Sequence, residues 1–165
     1  MTAIAYRPGS ACDRAALAGL LSGLTPESAY ARFQTAIGSG PPPSVIAALL
    51  PDGVRGGTVL GWDGDELVGH GVWVRLGHSR SAEVALVVAD SHQRQGVGTA
   101  LADRLVAAAG RRGIETIEAF SGSGNRAVAR MVARRSRDAV LEREGSTVTY
   151  SFPVRGRTQA AGSAA

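Results

Sequence analysis

Gly96 and Gly98, with Gln93 three residues before the first of them, form the pattern Q-x-x-G-x-G near the middle of the chain. Glycines at this spacing strip side chains from a turn of backbone. A helix that starts there offers N–H groups with no intrahelical partner. The macrodipole adds partial positive charge at the same point, so the chemistry on offer is the binding of phosphate. The second group of interest is Glu83, a carboxylate in the otherwise apolar run 82–88. A carboxylate in such a run is unusual unless paired or functional. It reads as a general base, or as an acid at an exposed strand end held by an arginine. Glu118 is the reserve base.

These groups need elements to hold them. Residues 84–88 are apolar and mostly β-branched, which suits a strand buried on both faces. Val97, Leu101, Leu105 and Ala108 recur at spacings of four and three, the pattern of an amphipathic helix, and Gly110 follows as its C-cap. The unit is therefore strand, tight polar loop, helix. A dinucleotide fingerprint would need glycine where Leu101 stands, although Glu118 falls at the distance of a ribose-binding acid. The P-loop pattern fails, since no Lys-Ser/Thr pair follows the glycines. Glycines serving tightness of the turn alone are the remaining alternative.

At 165 residues the chain is one domain with room for a real core. No run approaches the ~18 apolar residues of a membrane span, and the first eight residues lack the apolar centre of a signal peptide. The lone cysteine, Cys12, excludes an internal disulfide and a cysteine-based metal cluster. The expectation is a cytoplasmic protein with no membrane partner and no metal. All 18 basic residues are arginine, and there is no lysine. Residues 1–93 hold six arginines against eight acids, and residues 94–165 hold twelve against six. The basic half admits nucleic acid as a partner. However, the arginines are not interleaved with aromatics, and a polyanionic small ligand accounts for the excess with less.

In chain order, residues 2–7 read as a short strand. Ser10 or Asp13 caps a helix through Leu17, Leu20 and Leu21, and Thr25-Pro26-Glu27 starts another. In that second helix Phe33 faces the core, and Tyr30 and Arg32 are candidates to line an acceptor site. Ser44 caps a short apolar run, 45–50. A hairpin follows, 57–62 and 66–76 around Asp63-Gly64-Asp65, with Val68, His70, Val72 and Val74 on one face. After the central helix, residues 113–120 read as a strand parallel to the Glu83 strand. Asn125 caps a helix holding Val128, Met131 and Val132, a hairpin spans 139–153, and 155–165 has the composition of a disordered tail. His92 points to solvent or phosphate, and His70 is structural.

The Gln93–Gly96–Gly98 loop, its flanking strand and helix, and Asn125 downstream resemble the acetyl-CoA site of the GNAT superfamily of N-acetyltransferases. The likeness spans residues 3–153. Residues 21–33 and the string Ala82-Glu83-Val84-Ala85 resemble the acetyltransferase domain of bacterial protein lysine acetyltransferases in particular. The resemblance implies an α/β fold: a mixed, mostly antiparallel seven-stranded sheet with splayed central parallel strands and about four flanking helices, residues 1–154. It implies acetyl-CoA as co-substrate. Leu86, Val87 and Val88 would meet pantetheine through main chain. Arg94, Gln95, Gly96, Val97, Gly98 and Thr99 would cradle the pyrophosphate, and Asn125 would bond the CoA arm besides capping its helix. Glu83 would be the catalytic base.

Two departures from the family pattern stand out. The tyrosine that often serves as general acid seven residues after the asparagine is Val132, and the usual Gly-Phe after that helix is replaced by Arg134-Arg135-Ser136-Arg137-Asp138. The expected activity is acetyl transfer to a primary amine by direct attack in a ternary complex. The acceptor is a protein lysine first, a small metabolite or antibiotic amine second. A degenerate acyl-CoA sensor is the non-enzymatic alternative that the missing tyrosine keeps open. A monomer or a homodimer both fit.

Overall fold

The computed structural model describes residues 3–154. The tail expected at 155–165 lies outside the described residues. Seven strands form one sheet in the order β1-β2-β3-β4-β5-β7-β6. They are β1 (Ala5–Pro8), β2 (Gly56–Asp63), β3 (Glu66–Arg75), β4 (Ser81–Val88), β5 (Thr116–Gly122), β6 (Val140–Glu144) and β7 (Thr147–Pro153). All neighbouring pairs are antiparallel except β4 and β5. Five α-helices accompany them: α1 (Arg14–Ser22), α2 (Pro26–Phe33), α3 (Pro43–Ala48), α4 (Val97–Arg111) and α5 (Arg126–Arg135). The expected sheet is present, with five helices among the described residues where about four were anticipated. Short α3 starts at Pro43 rather than after a Ser44 cap.

Local chemistry sets most boundaries. The Thr25 hydroxyl accepts from Ser28 N–H, and Pro26 occupies the first helical position of α2, where its missing N–H costs nothing. Ser10 and Asp13 form a capping box ahead of α1. The Asp13 carboxylate is then clamped by Arg7 of β1 through two hydrogen bonds of 2.6 and 3.1 Å. Ile114 is buried, but its N–H turns back to the Ala109 carbonyl at the end of α4. The strand therefore begins at Thr116, later than its apolar pattern indicates.

The sheet separates two cores. On one face α4 lays Leu101 and Leu105, both fully buried, against β3, each worth about 1.5–3 kcal/mol. It packs this closely because β3 has glycines there. A Cβ at Gly71 would lie 2.5 Å from Leu105 Cδ1, and one at Gly69 would lie 2.9 Å from Leu101 Cδ1. On the other face Leu17, Leu20 and Leu21 of α1 pack with Ile46, Leu60 and Val87. Among the described residues no helix is long and apolar enough to cross a membrane.

Candidate functional site

The parallel pairing of β4 and β5 is short. It runs from Ser81↔Thr116 to Val84↔Ala119 and stops. Beyond that rung β4 stays bonded to β3 through Val88, and β5 stays bonded to β7 through Gly122. The facing edges therefore part while their outer edges are held, and a slot with unpaired main-chain groups opens at the carboxyl ends of the two parallel strands. This is where open α/β sheets take ligands. An unpaired strand edge in a cleft will pair with an extended, amide-bearing ligand.

Which groups face the slot follows from two backbone bonds. Ala89 N–H donates to Val68 O (2.8 Å), and Leu76 N–H donates to Ser81 O (2.9 Å). Along β4 the alternation then turns the main chain of Glu83, Ala85 and Val87 toward β3, and that of Val84, Leu86 and Val88 toward β5. Of the three residues expected to offer main chain to a ligand, Leu86 and Val88 present theirs to the slot. The backbone of Val87 is directed to His70 of β3 instead. The Val88 carbonyl accepts from Gln93 Nε2 (3.2 Å).

Above the slot, the chain passes through a 3₁₀ turn, residues Asp90–His92, and then reverses twice into α4. Arg94 (φ +59°) and Gly96 (φ +86°) are both left-handed, and successive N–H groups around such residues form an anion-binding concavity. Gly96 is the N-cap of α4 and needs its glycine for φ. Gly98 differs: a Cβ there would sit 3.6–3.7 Å from Met131, Leu86 and Val88 side chains, ordinary contact. Its position shows that the start of α4, the slot wall and α5 converge. Gln95 is tied to Ser91 O (2.9 Å), Thr99 is exposed, and Val97 is buried. Asn125 caps α5 by accepting from Val128 N–H (3.2 Å), which leaves its amide NH₂ without a partner among the described residues. Arg94 and Arg126, both exposed, add positive charge beside the two helix starts.

The opposite face of the sheet, under α2, holds the carboxylates. Glu83 is exposed and is paired in register with Val74 and with Glu118. Arg32 of α2 lies close enough to Glu83 to feel its charge. Burial pushes the Arg32 guanidinium down from its ordinary value, and Glu83 pulls it back up. Its Nε is buried with no hydrogen-bond partner among the described residues, and the group stacks 4.9 Å from the Phe33 ring. Tyr30 is largely exposed. Farther along the same face, β5, β7 and β6 carry Phe120, Thr149 and Glu142 in register, then Gly122, Thr147 and Glu144. A cavity of about 280 Å³ lies among Phe120, Glu142, Arg143, Glu144, Thr147 and Thr149.

Asp90, just ahead of the motif, and Gln93, its first residue, brace the site. Asp90 accepts from Thr25 N–H (2.9 Å), Thr25 Oγ1–H (3.0 Å) and Ser28 Oγ–H (2.5 Å), so the loop after β4 is bolted to the start of α2. Burial raises the Asp90 pKa, but these bonds outweigh it and hold the pKa below the usual value. Gln93 reaches Ser28 Oγ (3.1 Å) and Asp90 (3.3 Å) and so acts as a brace rather than a phosphate ligand. His92 turns to Asp63 of the β2–β3 hairpin, 3.2 Å away, rather than to solvent or phosphate. Val132 is buried in the core, and a valine there supplies no proton. Cys12 is exposed in the turn before α1.

A model of the acetyltransferase (GNAT) family matches residues 29–136. No curated protein matches the chain by sequence. Among solved structures, the chain is similar to the GNAT domain of S. lividans PAT, with 23% identity, 90% of this chain and 89% of that one covered, and a TM-score of 0.81. It is also similar to an acetyltransferase of the GNAT family from Streptococcus pneumoniae (15% identity, 92% and 99% covered, TM-score 0.73). A third is yncA from Salmonella typhimurium, solved with its cofactor acetyl-CoA (16%, 95% and 97%, TM-score 0.68). At these identities the likeness to the solved structures is one of fold.

Proposed function

The chain belongs to the GNAT acetyltransferase family, and from that premise we propose that it acetylates a primary amine, most readily a protein lysine in a basic setting, by direct attack in a ternary complex. The observation that carries the reading is the end of β4–β5 pairing at Val84↔Ala119, one rung after Glu83↔Glu118. That rung puts a carboxylate pair beside the mouth of a slot whose other end meets the start of α4.

Acetyl-CoA supplies an activated thioester. The main chain of Leu86 and the N–H of Val88, whose carbonyl is taken by Gln93, suit its pantetheine amides. The N–H groups from Arg94 through Thr99 suit its pyrophosphate, with Asn125 available to the CoA arm. A lysine amine is almost wholly protonated at neutral pH, so it must lose a proton before it attacks. Glu83 takes that role, directly or through water. With Val132 in place of an acid, CoA departs as the thiolate and is protonated by solvent, since a thiol pKa near 8.5 makes it a tolerable leaving group.

The acidic face favours a cationic acceptor. Glu83, Glu118, Glu142 and Glu144 stand on one side of the sheet, with half-exposed Phe120 between them. Arg143 lines the same cavity and Arg32 lies near Glu83, so the four acids still outnumber the cations there and draw in a positively charged side chain. A small amine remains the second reading among enzymes. A non-catalytic acyl-CoA sensor is the reading that buried Val132 favours. The test is release of free CoA thiol from acetyl-CoA in the presence of lysine peptides and of small amines. Acceptor-dependent release on basic peptides is the expected result; binding of acetyl-CoA with no release on any acceptor would establish the sensor.

A further inference from the structure

On the face of the sheet covered by α4, away from the slot, a second cleft of about 480 Å³ lies between the β1–β2 edge and the C-terminal half of α4. That volume falls in the range of small-molecule sites. Its floor is Gly57 of β2 and Trp73 of β3, which are register partners. Trp73 is 2% exposed. Its indole Nε1–H has no hydrogen-bond partner among the described residues, and it faces Gly57 at the cleft floor. The missing side chain of Gly57 keeps it open, because a Cβ there would stand 2.7 Å from Trp73 Nε1. A buried, unpartnered donor in a residue that lines a cleft calls for an acceptor from outside the protein.

The rim supplies charge. Arg104 and Arg111 are seven residues apart on α4 and so share a face, with Ala107 and Ala108 between them leaving depth. Arg112 follows. None of the three is ion-paired among the described residues. Arg104 is held in place over the Tyr6 ring, 4.1 Å from its centroid. Arg7 also lines the cleft but is neutralised by Asp13, and Asp52 is the one acid in the wall. Cations at a helix C-terminus are favoured by the dipole alone. That accounts for Arg111 and Arg112, but not for a cavity with an open indole N–H at its base.

We propose that this cleft is a second binding site, for a small multiply charged anion whose carboxylate or phosphate oxygens bridge the α4 arginines and accept from Trp73 Nε1–H. It is separate from the slot: α4 has 15 residues, so its two ends lie roughly 20 Å apart at 1.5 Å per residue. The proposal does not depend on the acetyl-transfer reading.

The experiment is calorimetric titration of the full chain with citrate and with inorganic pyrophosphate at low ionic strength, where surface charge is least screened. Beside any pyrophosphate taken up at the start of α4, we expect a site that saturates below about 1 mM for at least one probe, which shows whether carboxylate or phosphate is preferred. It should survive in Thr99→Glu, which places negative charge at the other end of α4. The Arg104→Ala/Arg111→Ala variant should weaken it at least about tenfold while keeping acetyl-CoA affinity, and Trp73→Phe should weaken it by about two- to tenfold. Arg104 and Arg111 are exposed, so their variant folds whatever Trp73→Phe does. No saturation by either probe up to about 10 mM, loss of the site in Thr99→Glu, or parental affinity in a folded cleft variant overturns the assignment.

Discussion

Glu83 of β4 and Glu118 of β5 are register partners one rung before their strands part, and both stand on the face that α2 covers. Arg32 of α2 has no hydrogen-bonded partner for its buried Nε and lies within reach of Glu83's charge. The proposed base and its reserve thus occupy one spot, and single substitutions rank them. We expect Glu83→Gln to keep acetyl-CoA affinity and to lower kcat by about 10²–10⁴, with a smaller loss for Glu118→Gln. The Glu83→Gln defect should shrink as pH rises, because more acceptor amine is then already neutral. A purely structural Glu83 would give a lower melting temperature and a pH-independent defect. Near-parental turnover of Glu83→Gln at pH 7 would pass the role to Glu118 or to water.

Thr99 separates cofactor binding from folding. It is the third residue of α4 and exposed, a position where glutamate interacts well with a helix N-terminus. Thr99→Glu should therefore leave the melting temperature unchanged or slightly raised. The same negative charge would sit where the pyrophosphate is proposed to bind, so acetyl-CoA affinity should fall at least about tenfold, roughly 1.4 kcal/mol. Unchanged affinity in calorimetry would take the start of α4 out of the cofactor site.

The Asp90 clamp makes a different prediction. Asp90→Asn keeps the shape but weakens three hydrogen bonds to Thr25 and Ser28. Removing helix-cap interactions of this kind costs about 1 kcal/mol. Since α2 carries Arg32 and Tyr30 over the proposed acceptor face, acceptor KM should rise several-fold while acetyl-CoA affinity changes less. Steady-state kinetics with each substrate varied in turn would show the split; equal effects on both substrates would mean that the clamp serves the whole loop and not α2.

The Asp90 clamp also marks the limit of what the sequence discloses. Thr25-Pro26 as a helix start, the β2–β3 hairpin and the amphipathic stripe of α4 are local patterns, and they are legible because local chemistry decides them. Asp90 is 65 residues from Thr25, and no spacing announces that pairing. The end of β4–β5 pairing is equally silent. Residues 84–88 are apolar whether or not a neighbour bonds them, and only the register shows that Leu86 and Val88, rather than Val87, face the gap. Gln93 sits inside the phosphate motif by spacing but is spent on Val88, Ser28 and Asp90. The open indole of Trp73 required knowing which residue lies across from Gly57.

His70 provides a pH test of the core. It is fully buried in β3, and Nε2 donates to the Leu49 carbonyl at 2.8 Å, which leaves Nδ1 unprotonated and without a partner. Protonating Nδ1 would place a second cation in a dry interior near Arg32. Burial, opposed by the Leu49 bond and helped by Arg32, pushes the His70 pKa down to about 4. In the unfolded chain the same imidazole titrates near 6.5. Between those values the unfolded state binds more protons, so stability rises with pH through this window and is lost as pH falls from about 6.5 to about 4, by on the order of 3 kcal/mol in full. The carboxylate contribution comes later: Asp13, whose pKa the Arg7 bonds lower to about 2, gives up its stabilisation only below about pH 4. Urea unfolding at pH 7.5 and pH 5 should therefore show a marked drop for the parent. His70→Asn should be weaker at pH 7.5 yet nearly flat between the two pH values. If parent and variant fall by the same amount, the acid sensitivity arises elsewhere and His70 is not held neutral by its surroundings.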